Sequence, residues 1–125
     1  MPKRYYTVAE ANAVLPTVRA LVARLLAARQ RILDAQPDLW PVLEKAARNG
    51  GSQQAAVVLA DFEAVQHSVK AIEGLGLELK DPNTGLLDFW AQRDGRDVYL
   101  CWRYNEPTVA YWHEIKAGFT GRQAL

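Results

Sequence analysis

The chain has 125 residues, of which 50% are hydrophobic and 23% are charged, and its formal net charge is +1. This size and composition are typical of one soluble globular domain. A charge so close to zero excludes the strong electrostatic field that attracts nucleic acid or anionic lipid. No apolar run approaches the roughly 20 residues that span a bilayer. We therefore expect a cytoplasmic protein with no nucleic-acid partner and no membrane contact.

The N-terminal part has the pattern of a long helix. Thr7 and Glu10 stand at the spacing of a capping box, in which each side chain binds the backbone amide of the other residue. Apolar residues then recur every three or four positions; they are Ala11, Leu15, Val18, Val22, Leu25 and Ile32. The pattern predicts a helix that ends before Pro37. The internal Pro16 either kinks this helix, which we prefer, or joins a short first helix to a longer second one.

Two further helices are predicted before residue 74. Residues 42–48 form a short helix that Gly50 and Gly51 end, and Ser52 can cap the helix that follows. The apolar stripe of that helix is Val58, Phe62, Val65, Val69 and Ile72. Its spacing matches the stripe of the first helix, so the two long helices should pair as an antiparallel hairpin.

Residues 76–114 change to short alternating runs. Asp94-Gly95 is the strongest short-range signal for a two-residue β-hairpin, and it sets the register of the strands on either side. One face of this hairpin, the inner face, is apolar and carries Leu87, Phe89, Ala91, Val98, Leu100 and Trp102. The opposite face, the outer face, is mixed and carries Leu86, Asp88, Trp90, Tyr99, Cys101 and Arg103. The helical hairpin should cover the inner face.

The register of the next strand depends on the length of the loop before it. A four-residue loop pairs Cys101 with Trp112, which places Trp112 and Glu114 on the outer face and His113 on the inner face. A five-residue loop inverts this strand. We prefer the four-residue loop because Glu114 then shares a face with Arg103.

Residues 76–80 complete the sheet as its first strand, and the tail is predicted not to form a strand. The tail is too polar and too rich in glycine for a strand. It is either a clasp that packs Phe119 into a groove or a loop whose amides hold an anion together with Arg122.

The fold class that follows is α+β, with a long antiparallel helical hairpin packed on one face of a three- to four-stranded antiparallel meander. We expect a single domain over residues 1–125. It divides into the helical hairpin at 7–73, the sheet at 76–114 and the C-terminal tail at 115–125.

The outer face and the tail carry the candidate ligand-binding residues. They are Asp88, Cys101, Arg103, Trp112, Glu114 and Arg122. Large aromatic rings beside carboxylates, a guanidinium and a thiol are too apolar for a wet surface and too charged for an ordinary core. Such a patch meets another subunit or a ligand.

The preferred register argues against a metal site. Asp81 and His113 are weak candidate ligands beside Cys101 and Asp88. His113 and its neighbour Glu114 point to opposite faces of a strand, and His113 then lies away from Cys101. A single cysteine also excludes a multi-cysteine zinc site. We expect no metal and no cofactor.

Two catalytic alternatives stay open beside structural ones. Arg103 can lower the pKa of the Cys101 thiol, whereas Asp88 opposite raises it, so Cys101 is either a nucleophile or inert packing. Asp88 and Glu114 around Arg103 can transfer protons or form a structural ion-pair network.

The leading functional hypothesis is a non-enzymatic binding or assembly module in the form of a homodimer that uses the outer face. The alternative is a small enzyme, or a binder of an anionic small molecule, with a pocket around Asp88, Cys101, Arg103 and Glu114. In the alternative, Arg103 and Arg122 hold the anion.

Short motifs along the chain resemble the bacterial DUF2203 family. The motifs are Glu10-Ala11-Asn12 with Leu15-Pro16, Leu79-Lys80-Asp81, Gly85-Leu86 with Asp88-Phe89, Leu100-Cys101-Trp102-Arg103, Tyr111-Trp112-His113-Glu114, and Gly118-Phe119 with Gly121-Arg122. They cover essentially the whole chain. The resemblance implies a bacterial cytoplasmic protein of uncharacterised function, and it supplies no reaction and no catalytic residues.

Overall fold

Three helices are followed by five strands in the computed structural model, which describes residues 3–49 and 59–125. The helices are α1 (Val8–Ala35), α2 (Trp40–Asn49) and α3 (Leu59–Gly74). The strands are β1 (Leu77–Asp81), β2 (Leu86–Arg93), β3 (Arg96–Arg103), β4 (Tyr111–Glu114) and β5 (Gln123–Ala124). Short 3-10 turns occupy Pro37–Leu39 and Phe119–Gly121. The signals predicted at Gly50, Gly51, Ser52 and Val58 lie outside the described residues.

Helix α1 begins at the predicted capping box. The Glu10 amide donates to Thr7 Oγ1 at 3.1 Å, and the Thr7 amide donates to the Glu10 carboxylate at 2.9 Å. The helix continues through Pro16 to Ala35, and its predicted stripe is buried. By length and composition α1 could also cross a membrane, which is weak evidence because the core helix of a soluble protein passes the same test.

Helices α1 and α3 pair in antiparallel fashion. Near the end of α1, Arg31 Nε donates to Asp61 in the first turn of α3 at 2.6 Å. At the other end of α3, Ile72 joins the core cluster that contains Leu15 and Val18 of α1. The predicted helical hairpin is therefore confirmed.

The sheet is antiparallel throughout, with strands in sequence order. The β2–β3 hairpin has every pair that Asp94-Gly95 predicted, from Arg93 with Arg96 to Leu86 with Arg103. Both turn residues have positive φ, 53° at Asp94 and 78° at Gly95, as a tight hairpin turn requires. The inner-face residues pack against α1 in one core cluster. The α+β fold class is confirmed.

The predicted register of β4 is wrong by one residue. Tyr99 pairs with His113 and Leu100 pairs with Trp112, so the inverted strand of the five-residue alternative is the observed one. Trp112 and Glu114 therefore lie on the inner side, and His113 lies on the outer face.

Contacts from α1 explain this register. Arg19 donates to the carbonyl oxygens of Tyr104, Glu106 and Pro107 at 3.3, 3.2 and 3.0 Å. Asn12 binds both backbone groups of Val109, accepting from its amide at 2.8 Å and donating to its carbonyl at 3.3 Å. These hydrogen bonds hold the β3–β4 loop in the form that corresponds to the five-residue alternative, and not to the preferred four-residue loop.

The tail contains a short strand that the sequence analysis excluded. Gln123 and Ala124 form β5, which pairs with the edge of β4. The Leu125 amide also donates to the Ala110 carbonyl at 3.0 Å. Composition predicted no strand here, but the edge of β4 offers backbone partners that a two-residue strand can satisfy.

Candidate functional site

A cluster of three ionisable side chains lies at the centre of the outer face. Asp88 of β2 is opposite Cys101 of β3, while His113 of β4 is opposite Tyr99 of β3. The Asp88 and His113 side chains meet across β3, with His113 Nε2 3.1 Å from Asp88 Oδ1. Asp88, Cys101 and His113 are 2%, 1% and 2% exposed, and their ligand atoms all lie within 4.8 Å of one another. We call these three residues the Asp-Cys-His cluster.

The protonation of His113 follows from its two partners. Nδ1 lies 2.7 Å from the carbonyl oxygen of Glu114, which can only accept, so Nδ1 carries a hydrogen. Nε2 faces Asp88, and this contact is a hydrogen bond only if a proton lies between the two atoms. The pair is then either a carboxylate with an imidazolium or a carboxylic acid with a neutral imidazole. In both forms its total charge is zero.

Burial changes the acidity of the cluster. It raises the pKa of Asp88, and the charge of His113 acts in the opposite direction with smaller effect. Burial, followed by the nearby Asp88 carboxylate, raises the pKa of the Cys101 thiol to about 12. Cys101 is therefore a neutral thiol near pH 7 that donates to Asp88. Nucleophilic chemistry needs a thiolate, so this state of Cys101 is not a nucleophile.

A pocket of about 200 Å³ opens above the Asp-Cys-His cluster. Its walls include Leu86 and Tyr99 from the sheet and Phe119 from the tail, and Lys80 lies at its side. The tail is thus one wall of the pocket. Isolated buried charges are costly, so an acid and a base at the bottom of a pocket are typical of a functional site.

Arg122, a predicted anion-binding residue, has an internal carboxylate as its partner. Its Nη2 donates to both oxygens of Glu106 at 2.6 and 2.7 Å and to the Cys101 carbonyl at 3.3 Å. The guanidinium also lies 4.0 Å from the centre of the Tyr111 ring. Arg122 therefore fastens the tail to the β3–β4 loop behind the pocket.

Two other candidates, Trp112 and Glu114, do not belong to the site. Trp112 is buried on the inner side, with the Arg93 guanidinium 4.5 Å from its ring centre. Glu114 forms an exposed ion pair with Arg96 at the hairpin edge. Their prediction as outer-face residues was wrong because the register of β4 was wrong.

The two remaining candidates, Asp81 and Arg103, lie outside the Asp-Cys-His cluster. Asp81 accepts from the Asn83 amide at 2.9 Å and from the Thr84 hydroxyl at 3.1 Å, so it stabilises a turn. Arg103 lies on the outer face beside the pocket, with its guanidinium 4.9 Å from the centre of the Phe119 ring.

His113 was predicted as a weak candidate metal ligand, but on the inner face and therefore away from Asp88 and Cys101. The one signal that could have placed it was the five-residue loop alternative.

One family model matches nearly the whole chain. The model of a family described as "Uncharacterized conserved protein (DUF2203)" matches residues 4–125. No curated protein and no solved structure matches the chain.

Proposed function

The chain belongs to the DUF2203 family, and for it we propose the function of a binding module that holds a small anionic molecule in the pocket above the Asp-Cys-His cluster. The observation that carries this proposal is the buried Asp88–His113 hydrogen bond at the base of that pocket. A ligand in the pocket can exchange a hydrogen bond with this proton-sharing pair, whose two side chains are almost fully buried.

The charges around the pocket favour an anion. Lys80 lies at its side, although it also pairs with Glu78 at 3.2 Å. Arg103 donates to the Asn105 side-chain oxygen at 3.2 Å and forms no ion pair within the described residues. The Asp88–His113 pair is neutral in total, and Glu106 is already paired with Arg122. Arg103 does not line the pocket itself, but its guanidinium lies 4.9 Å from the ring centre of the pocket-lining Phe119, so an anion at the Phe119 edge of the pocket would lie near a cation without a carboxylate partner.

The size of the pocket limits the ligand. Clefts that hold drug-sized molecules have volumes of about 300–1,000 Å³, and this pocket has about 200 Å³. The ligand is therefore a small ion or a metabolite with few atoms, such as a short carboxylate or a phosphate.

The homodimer stays a prediction. The argument for it, an outer face with a large uncovered aromatic area, is weaker in the structure. The outer face was expected to be uncovered and to carry three large aromatic rings. Trp112 lies on the inner side instead, Tyr99 is 5% exposed, and Lys3 covers the Trp90 ring at 4.0 Å. Light scattering at micromolar concentration measures the mass directly, and a mass of one chain would contradict the dimer.

The binding proposal is tested by titrating isotopically labelled protein with inorganic phosphate and, separately, with acetate. We expect saturable shifts of backbone amides in β2, β3 and β4, with a Kd of about 1 mM or tighter, which corresponds to roughly −4 kcal/mol. Arg103→Gln should weaken the binding severalfold because it removes the unpaired cation.

The matched control is Arg24→Gln, which removes an exposed arginine from α1. It should leave the titration unchanged. Shifts that stay linear with both anions, or an equal loss in the two variants, would contradict the proposal.

A further inference from the structure

The Asp-Cys-His cluster combines three ligand types at one buried point. It offers a carboxylate oxygen, a sulfur and an imidazole nitrogen, all within 4.8 Å of one another. We propose that Asp88, Cys101 and His113 bind one Zn²⁺ ion, with the remaining coordination position open to the pocket. This inference deepens the proposed function and rests on it for the ligand, since the ion would replace the shared proton at the base of the same pocket and offer an anion its open position.

The orientation of His113 is an independent observation in favour of a metal. Histidines that bind metals almost always donate their other ring N–H to a carboxylate or a backbone carbonyl, which fixes the ring and its tautomer. His113 does so through Nδ1, 2.7 Å from the Glu114 carbonyl oxygen. Nε2 is thereby directed at Asp88, on the side of the sheet where Cys101 lies.

The spacing of the ligand atoms suits a small cation. Zinc lies about 2.0–2.2 Å from nitrogen and oxygen ligands, so two such ligands at a tetrahedral angle are roughly 3.3 Å apart. Asp88 Oδ1 and His113 Nε2 are 3.1 Å apart. These two atoms would therefore need to separate by only a few tenths of an ångström to hold the ion in place of the shared proton, while Cys101 Sγ, which lies within 4.8 Å of both, would have to lie about 3.6 Å from each.

The charge balance also favours Zn²⁺. One carboxylate, one thiolate and one neutral imidazole carry two negative charges, which a divalent ion neutralises, so the buried site has no net charge. Binding would release two protons, the thiol proton of Cys101 and the proton between Asp88 and His113.

The ligand set selects against the common hard cations. Mg²⁺ and Ca²⁺ prefer oxygen ligands, and the cluster offers only one carboxylate. Sulfur and imidazole ligands suit zinc, and three protein ligands with one open position are the pattern of catalytic rather than structural zinc sites.

The experiment uses the full chain without an affinity tag, stripped with chelator and dialysed. Titration calorimetry with Zn²⁺ should give one ion per chain with a Kd below about 10 µM. Titration with Co²⁺ should give a thiolate-to-cobalt charge-transfer band in the near ultraviolet. Because Cys101 is the only cysteine in the chain, that band would show that Cys101 binds the Co²⁺ ion.

The chain provides a matched control, since it contains two histidines. His113→Ala should weaken Zn²⁺ binding about 100-fold or more, because even residues that only orient ligands cost 10–100-fold when they are changed. His67→Ala, on the exposed side of α3, should leave binding unchanged. Circular dichroism verifies that each variant is folded. If a variant does not fold, the Co²⁺ spectrum of the wild-type protein still tests the metal site.

Three results would overturn the metal site: no saturable Zn²⁺ binding up to about 100 µM, bound Co²⁺ without the thiolate band, or equal losses in the two histidine variants. Repeating the phosphate and acetate titrations in chelator separates the two proposals. Anion binding that persists without any affinity for Zn²⁺ refutes the metal and leaves the binding module. Zn²⁺ binding without anion binding refutes the anion-binding module and leaves the metal site.

Discussion

Tyr99 and His113 are cross-strand neighbours in β3 and β4, and their rings lie 5.4 Å apart on the outer face. This pairing brings the His113 imidazole to Asp88, two strands away. A register shifted by one residue would turn His113 to the inner side and dissolve the cluster. The site therefore depends on how the β3–β4 loop is held.

The buried Asp88–His113 pair should contribute far more to stability than an exposed ion pair of the same sheet. In metal-free protein, Asp88→Ala leaves His113 Nε2 buried without a partner, and we expect a loss of about 3 kcal/mol in the free energy of unfolding. Asp88→Asn keeps a polar partner and should lose less. Urea denaturation measures both.

The control for this prediction is Glu114→Ala, which breaks the exposed pair with Arg96. Exposed pairs contribute little because water and salt screen them, so the unfolding midpoint should hardly move. Similar losses in Asp88→Ala and Glu114→Ala would contradict the interpretation.

Gly85 should resist substitution more strongly than Gly95. Both have positive φ, 72° and 78°, so alanine is strained at each position, at a cost of about 1–3 kcal/mol. A Cβ at Gly85 would also lie 2.6 Å from Val22 Cγ1 and 2.9 Å from Tyr104 Cβ, whereas at Gly95 it would meet nothing within 4 Å.

Thermal unfolding should therefore show a larger loss for Gly85→Ala than for Gly95→Ala. The difference isolates the close packing of the β1–β2 turn against Val22 and Tyr104. Equal losses would mean that these two neighbours move aside at no cost in stability.

Asn12 should act as a clamp on the β3–β4 loop. Asn12→Ala removes both hydrogen bonds to Val109, and we expect a loss of about 1–3 kcal/mol because the Val109 amide is left without its partner. Hydrogen exchange at the Val109 amide should accelerate. Gln30→Ala, which breaks a local bond to Asp34 on the same helix, should change neither quantity; an unchanged Val109 exchange rate in Asn12→Ala would refute the clamp.

Glu10 should make a pH-dependent contribution to stability. Hydrogen bonds from the Thr7 backbone and then from its side chain lower the pKa of Glu10. A lowered pKa in the folded state means that the stabilisation is present above the ordinary value near 4.3 and is lost as the pH falls through the folded value.

Glu10→Gln keeps the geometry of the capping box and removes the charge. Wild type should therefore be more stable than Glu10→Gln at pH 7, and the difference should be smaller at an acidic pH below the ordinary pKa of glutamate. Thermal unfolding at the two pH values measures it. A difference of the same size at both pH values would exclude the carboxylate charge as its cause.

Local signals were sufficient for most of the fold. The capping box at Thr7, the apolar stripes of α1 and α3, and the Asp94-Gly95 turn each act within a few residues, so their structural consequences can be predicted without knowledge of the tertiary structure. The same signals placed Asp88, Cys101 and Arg103 together on the outer face.

The tertiary structure decided the position of His113 and thus the composition of the site. Asn12 and Arg19 lie more than 80 residues before the loop that they hold, and no local pattern around residues 104–110 reports their hydrogen bonds. Loop length and strand register were therefore settled by contacts with α1. The short strand β5 has the same origin, since two residues form a strand only where a neighbouring edge supplies the backbone partners.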